Sequence, residues 1–72
     1  MMIDIFTKNK IYHREDGPAY IVYHKDGSID IEEYYIDGKK HREDGPAFIY
    51  YNMYGKIIYE AYYKYGRLII NA

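Results

Sequence analysis

Two stretches of this chain bring together side chains that could bind a divalent metal ion. The seven residues His-Arg-Glu-Asp-Gly-Pro-Ala occupy positions 13–19 and recur at positions 41–47, a spacing of 28 residues. Each copy holds an imidazole and two carboxylates, which are ligands for divalent ions. These ligands are His13, Glu15 and Asp16 in the first copy and His41, Glu43 and Asp44 in the second. A recurring bend explains the repetition more simply than two metal centres, so we expect no metal site and no cofactor.

The same residues suit a bend from which a strand departs, and we call residues 13–18 and 41–46 the first and second bend motifs. Proline lacks a backbone donor and steers the residue before it away from helical conformation. We expect the aspartate to cap the turn, the arginine and glutamate to pair across it, and the histidine to bond to backbone. The predicted turn residues are His13, Arg14, Glu15, Asp16, Gly17 and Pro18, with His41, Arg42, Glu43, Asp44, Gly45 and Pro46 as their counterparts.

The chain offers little for catalysis. It has no cysteine, one serine (Ser28) that falls in a predicted turn, and no glycine-rich loop for phosphate. Glu32 and Glu33 are adjacent carboxylates, but neighbours on a strand point to opposite faces and cannot act as a pair. A chain of 72 residues also has little room for a deep pocket. We therefore predict that the protein is not an enzyme.

The tyrosines are the strongest indication of a binding role. The chain has 12 of them, and tyrosine gives a large contact area at low rotamer cost, which enriches it at interfaces. The alternative is that these rings form the core of a sheet that has few aliphatic residues. Seven of them crowd the last third of the chain, more than a single-layer sheet can hide, and we predict that they bind a partner. They are Tyr50, Tyr51, Tyr54, Tyr59, Tyr62, Tyr63 and Tyr65.

Charge argues against direct binding to nucleic acid. The net charge is −1 and Lys39-Lys40 is an isolated basic pair, whereas phosphate binding requires a basic surface. A group of four acidic residues could instead occupy the nucleic-acid groove of a partner protein. These residues are Asp26, Asp30, Glu32 and Glu33. The alternative for them is a solvated hairpin surface.

The pattern along the chain predicts an all-β fold. Apolar and aromatic runs at 3–6, 19–24, 29–36, 48–51 and 57–63 are bounded by Gly-containing turns, among them tight turns at 37–38 and 65–66, and no long window shows helical periodicity. Laying residues 13–40 over 41–68 without a gap gives 15 identities in 28 positions. We predict one domain over residues 1–72, an antiparallel meander of about five or six strands in a single sheet. It consists of two 28-residue hairpin repeats, 13–40 and 41–68, with half-repeats at the ends.

Such a sheet cannot cover its own apolar face without a helix or a second layer. With two-residue turns, one face would carry Tyr20, Val22, Ile29, Ile31, Phe48, Tyr50, Ile57, Tyr59 and Ala61. The other face would carry Ile21, Tyr23, Asp30, Glu32 and Tyr34. We expect a homodimer or a sheet completed by a partner, and an exposed edge at residues 68–70 that invites strand addition.

The bend motifs resemble a repeat of known type. The stretch Tyr-Tyr-Ile-Asp-Gly-Lys at 34–39, followed by the second copy of the seven residues at 41–47, is similar to the HREDGPA repeats of phage, bacterial and giant-virus proteins. These are distant relatives of MORN-type β-hairpin repeats, and the resemblance covers about residues 13–68. It implies a β-hairpin repeat fold, an origin in phages or mobile elements and a role in protein interaction. The last unit departs from the pattern, because Ile69 stands where the next histidine would begin a motif.

These observations together indicate a non-enzymatic protein–protein interaction module. We expect a small phage or mobile-element inhibitor of a host factor, with an anti-defence role of the anti-CRISPR kind. Two alternatives stay open: an antitoxin or immunity protein that neutralises a toxin, and an oligomeric sponge for a small nucleotide. The opening residues lack a basic region and a long apolar run, so we expect no signal peptide, no membrane span and a cytoplasmic location.

Overall fold

The computed structural model describes residues 2–70 as ten β-strands, with no helix among them. None of these residues therefore belongs to a helix long and apolar enough to cross a membrane. The strands are β1 (Ile3–Ile5), β2 (Thr7–Lys8), β3 (Ile11–Tyr12), β4 (Tyr20–Tyr23), β5 (Ile29–Glu33), β6 (Tyr35–Ile36), β7 (Lys39–Lys40), β8 (Phe48–Tyr51), β9 (Ile57–Lys64) and β10 (Arg67–Ile69).

Six of the strands form one open antiparallel sheet in the order β1-β4-β5-β8-β9-β10. This confirms the predicted all-β antiparallel sheet. Two short ribbons, β2-β3 and β6-β7, lie outside it, and they were not predicted. The second arises because the predicted strand 29–36 is interrupted at Tyr34, whose N–H donates to Ala47 O and whose carbonyl accepts from His41 N. Beyond this residue the chain leaves the main sheet and forms a separate hairpin.

Three tight turns close the ribbons and the last hairpin, and they recur at the same spacing of 28 residues. In each, two successive residues have positive φ, as a type I′ hairpin turn requires. The pairs are Asn9 and Lys10, Asp37 and Gly38, and Tyr65 and Gly66. The turns predicted at 37–38 and 65–66 are therefore present.

Two β-bulges, one in each hairpin, show that two of the predicted face assignments are wrong. The register pairs Val22 with Ile31 but Tyr23 with Ile29, which skips one residue of β5. Because paired residues share a face, Ile29 lies with Tyr23 and not with Ile31. The same shift between β8 and β9 places Ile57 with Tyr51. The prediction assumed two-residue turns, and the extra residue in each hairpin reverses the face of the residue that follows the turn.

The remaining register defines an apolar face that runs across the sheet. It includes Ile3, Ile5, Tyr20, Val22, Ile31, Phe48, Tyr50, Tyr59 and Ala61, with Glu33 as a charged residue between Tyr20 and Phe48. On the other face, Glu32 is paired with Ile21 of β4 and with Ile49 of β8. Alternation along the strands produces this segregation.

The molecule is a slab with extents of 36 × 32 × 16 Å. Its buried apolar residues are small or medium in size: Ala19, Ile21, Val22, Ala47, Ile49 and Ala61. No large side chain within residues 2–70 is fully buried. A sheet of this thickness leaves part of its apolar surface in contact with solvent.

Candidate interaction surface

The apolar face carries several large side chains that solvent reaches. Tyr59 is 54% exposed, Ile5 51% and Tyr50 40%, so residues 2–70 cover these side chains only in part. Large apolar side chains on one flat face, this poorly covered, mark an interaction site more often than a free surface.

Aromatic rings on this face are held in fixed orientations by one another. Phe48 contacts Tyr50 and Tyr59 edge to face, with ring centroids 5.9 and 5.7 Å apart. Tyr12 stacks on Tyr20 at 5.8 Å and meets Tyr35 edge to face at 5.1 Å. Rings that are already ordered lose little rotamer freedom when a partner covers them.

A charged pair lies between the two groups of rings. Lys40 Nζ is 4.0 Å from Glu33 Oε1 and 5.0 Å from the ring centroid of Phe48. The Tyr35 hydroxyl donates to Glu33 Oε1 at 2.6 Å, and burial together with this bond raises the pKa of Tyr35 well above its usual value of 10.0. The face therefore offers a partner apolar area around a polar centre with both charges.

The structure separates the seven predicted tyrosines. Tyr50, Tyr59 and Tyr63 lie on the apolar face, the last beneath Lys40 at 5.0 Å. Alternation along the strands places the rings of Tyr51 and Tyr62 on the opposite face.

The other two tyrosines are in turns. Tyr54 is 94% exposed, and Tyr65 has a φ of 48° and stacks on His41 at 3.9 Å. Crowding in sequence thus does not give a single patch, because alternation and the turns distribute the rings.

The four acidic residues also fail to form one patch. Asp26 accepts from Ser28 N and Oγ inside its turn, and these bonds lower its pKa. Asp30 lies 3.8 Å from His24 Nε2. Glu32 accepts from the Tyr51 hydroxyl on the face opposite to Glu33.

The bend motifs have a structural geometry that differs in two details from the prediction, the first being that Asp16 accepts from Arg14 and from no backbone N–H of residues 2–70, so it does not cap the turn. Arg14 Nε donates to Asp16 Oδ1 at 3.0 Å and its Nη1 to Pro18 O at 3.2 Å, while Glu15 pairs with His13 at 3.2 Å. The predicted pairing of Arg14 with Glu15 is therefore wrong, because Arg14 bonds to Asp16 and Pro18 while Glu15 bonds to His13.

The second motif repeats these contacts 28 residues later. Arg42 lies 3.4 Å from Asp44 and donates to Pro46 O at 3.1 Å, and His41 pairs with Glu43 at 2.8 Å. The predicted histidine bond to backbone is present, since His41 Nδ1 accepts from Tyr65 N at 2.9 Å.

A cleft of about 720 Å³ lies between the two bend motifs. Its charged walls include Arg14, Asp16, Arg42 and Asp44, and each guanidinium is already paired with its aspartate. Within residues 2–70 no three His, Asp or Glu side chains cluster closely enough to hold a metal ion.

Sequence reasoning missed the part that Tyr12, Tyr35 and Lys40 take in the surface. The repeat spacing contains the signal, because Tyr12, Lys40 and Leu68 are equivalent positions in successive units. Only the fold shows that the residue before each bend motif reaches the apolar face.

Comparison of the chain with protein-family models, with curated proteins and with solved structures gives no match. The resemblance to HREDGPA repeat proteins therefore stays a prediction that rests on the two seven-residue motifs.

Proposed function

We propose that this protein is a non-enzymatic binding module that receives another protein on its apolar face. The observation that carries the proposal is the exposure of Tyr50, Tyr59 and Ile5 on one face of a sheet only 16 Å thick at its thinnest extent. Covering a half-exposed side chain of this size contributes on the order of 1 kcal/mol. Several such side chains together give a contact of useful affinity.

The polar centre of the face supplies selectivity. A partner that covers Glu33 and Lys40 without bonding to them leaves two charges desolvated, which opposes binding. A partner with groups that bond to both is favoured. The face supplies both aromatic anchors and polar contacts, although its charges lie at the centre and not, as in most protein interfaces, at the rim.

We propose further that the partner is a host factor and that the chain is a small inhibitor from a phage or mobile element, acting in the host cytoplasm. The resemblance of the bend motifs and the absence of a catalytic set in the sequence support this role. An antitoxin would bind its toxin through the same apolar face. The identity of the bound partner therefore distinguishes the inhibitor role from the antitoxin role. The nucleotide alternative loses support because Arg14 and Arg42 are bound to their own aspartates.

The test compares two surfaces of the same protein. Tyr50→Ser combined with Tyr59→Ser should weaken binding to a partner purified from host cells by at least about tenfold. The control is Tyr54→Ser, which changes a tyrosine that is 94% exposed in a turn and should leave the affinity unchanged. Binding is measured by calorimetry and self-association by sedimentation. A chain that stays monomeric and binds no partner, or equal effects of both variants, would overturn the proposal.

A further inference from the structure

The sheet contains two copies of one strand-to-strand contact. In the first copy, strand β1 pairs with β4, and the Tyr23 hydroxyl donates to Asp4 Oδ2 at 2.8 Å. In the second copy, strand β5 pairs with β8, and the Tyr51 hydroxyl donates to Glu32 Oε1 at 2.5 Å. In each copy the acid is paired with an isoleucine of the neighbouring strand, Ile21 or Ile49, and the tyrosine comes 19 residues after the acid.

Strand β9 holds the third equivalent acid, Glu60, which is 28 residues after Glu32. Residues 57–61 of β9 pair with β8 on one side, and β10 pairs with β9 only at residues 62–64. Within residues 2–70 no strand occupies the outer side of residues 59–61. No side chain there bonds to the exposed Glu60 carboxylate either.

The backbone of this edge is oriented for pairing. In β5 the N–H of Tyr34 points to the incoming strand and donates to Ala47 O. Alternate residues of a strand point to the same side, so the peptide groups of Glu32 also face β8. By the same alternation Glu60 directs its N–H and C=O away from β8, at the open edge of the sheet.

We propose that the outer edge of β9 is a strand-addition site for an extended segment of a partner protein with the pattern Ala-aromatic-Ile-x-Tyr. Both strands that fill the equivalent positions have this sequence, at residues 19–23 and 47–51. The alanine of each is fully buried, so the small residue is required at the start of the segment. The tyrosine hydroxyl of the partner donates to Glu60.

A second copy of this chain is a poorer occupant. Its two segments with the pattern are already paired in β4 and β8. Pairing of two β9 strands about a two-fold axis would bring one Glu60 near the other, and like charges on paired strands repel. The site therefore favours a different polypeptide, which adds by β-augmentation.

The test uses a fluorescein-labelled synthetic peptide with the sequence of residues 44–52 and the full 72-residue protein. Fluorescence anisotropy should show saturable binding, at least about fivefold weaker for the peptide with Tyr51→Phe. Protein with Glu60→Ala should bind the unaltered peptide with the same loss, and the phenylalanine peptide with no further loss. Asp4→Ala is the matched control, since its tyrosine partner is in the same chain, and it should leave peptide affinity unchanged.

Glu60→Pro gives an independent check, because proline removes the outward N–H and is tolerated on an edge strand. This variant should abolish peptide binding while its circular dichroism stays that of the parent protein. Absence of saturable binding would overturn the proposal. Peptide affinity that changes neither with the Tyr51→Phe peptide nor with the Glu60→Ala protein would also overturn it. The same holds for a dimer that forms through β9 and excludes the peptide.

Discussion

The histidine of each bend motif connects the beginning of a repeat to its end. His13 Nδ1 accepts from Asp37 N and His41 Nδ1 accepts from Tyr65 N, both at 2.9 Å. Since Nδ1 accepts, the geometry places the ring proton on Nε2, which faces Glu15 in one motif and Glu43 in the other. One side chain thereby ties the bend to a turn 24 residues away.

Removal of the histidine side chain should lower the stability of the protein. His41 is only 6% exposed and stacks on Tyr65 at 3.9 Å, so His41→Ala loses two hydrogen bonds and a ring contact. We expect the free energy of unfolding to fall by about 2–3 kcal/mol. Glu43→Ala removes only an exposed partner and should cost less than about 1 kcal/mol. Urea denaturation measures both, and equal effects would contradict the role of the histidine.

A second prediction at this scale concerns alkaline pH. Burial and the bond to Glu32 raise the pKa of Tyr51 above its unfolded value of 10.0. A group whose pKa is raised on folding contributes stability that is present below the unfolded value and is lost as pH rises through the folded one. The stability difference between the parent and Tyr51→Phe should therefore be constant below pH 10 and shrink above it. Tyr54→Phe, in an exposed turn, sets the baseline, and a difference that does not shrink would contradict the prediction.

Among the elements, the three type I′ turns have the same backbone conformation although their residues differ. The second turn position is Lys10 with φ 68°, Gly38 with φ 80° and Gly66 with φ 86°. A β-carbon at Gly38 would meet Ile11 only at 3.7 Å, an ordinary contact. The cost of a side chain there is therefore backbone strain rather than collision.

Exchanging residues between these equivalent positions should have opposite effects. Lys10→Gly gives Asn9-Gly, a favoured type I′ pair, and should stabilise the protein by about 0.5–1 kcal/mol. Gly38→Lys should destabilise it by about 1–2 kcal/mol. Thermal unfolding of both variants measures the two shifts. Shifts of the same sign would show that φ does not determine these turns.

The elements also show what sequence reasoning can reach. Residue-type periodicity was sufficient for β8, predicted at 48–51 and found as Phe48–Tyr51, and for the turns that contain Gly38 and Gly66. It could not detect the bulges, since an extra residue in a strand leaves no mark in apolar alternation, and Ile29 and Ile57 were assigned to the wrong face. Nor could it show that Glu33 and Lys40 meet on the apolar face, because their contact depends on how the ribbon β6-β7 leaves the sheet.

On the scale of the whole molecule, the sheet is built from one interface used twice. Arg14 lies over the Phe6 ring at 3.9 Å and Arg42 over the Tyr34 ring at 4.1 Å. The backbone bonds that accompany them also recur 28 residues apart, from Phe6 N to Ala19 O and from Tyr34 N to Ala47 O. Each unit therefore contacts only its neighbours, as in repeat proteins whose stability is a sum over units and interfaces.

This organisation predicts that the chain accepts another unit. Insertion of a second copy of residues 13–40 directly after Lys40 keeps the junction sequence, because His13 then follows Lys40 as His41 does. The added unit repeats interfaces that the sheet already contains, so unfolding should stay a single transition at higher urea concentration. The slope of stability against urea should rise roughly in proportion to chain length, since the insertion adds 28 residues to 72.

A chain with the same 28 residues inserted in reversed order is the matched control, because it keeps length and composition but loses the bend motif and the register. It should be less stable than the parent or should unfold in more than one step. If the direct insertion behaves like the reversed one, units 13–40 and 41–68 do not fold as interchangeable repeats. In that case the identity of the interfaces around Arg14 and Arg42 would reflect local bends alone, and each edge of the sheet would require its own partner sequence rather than a common one.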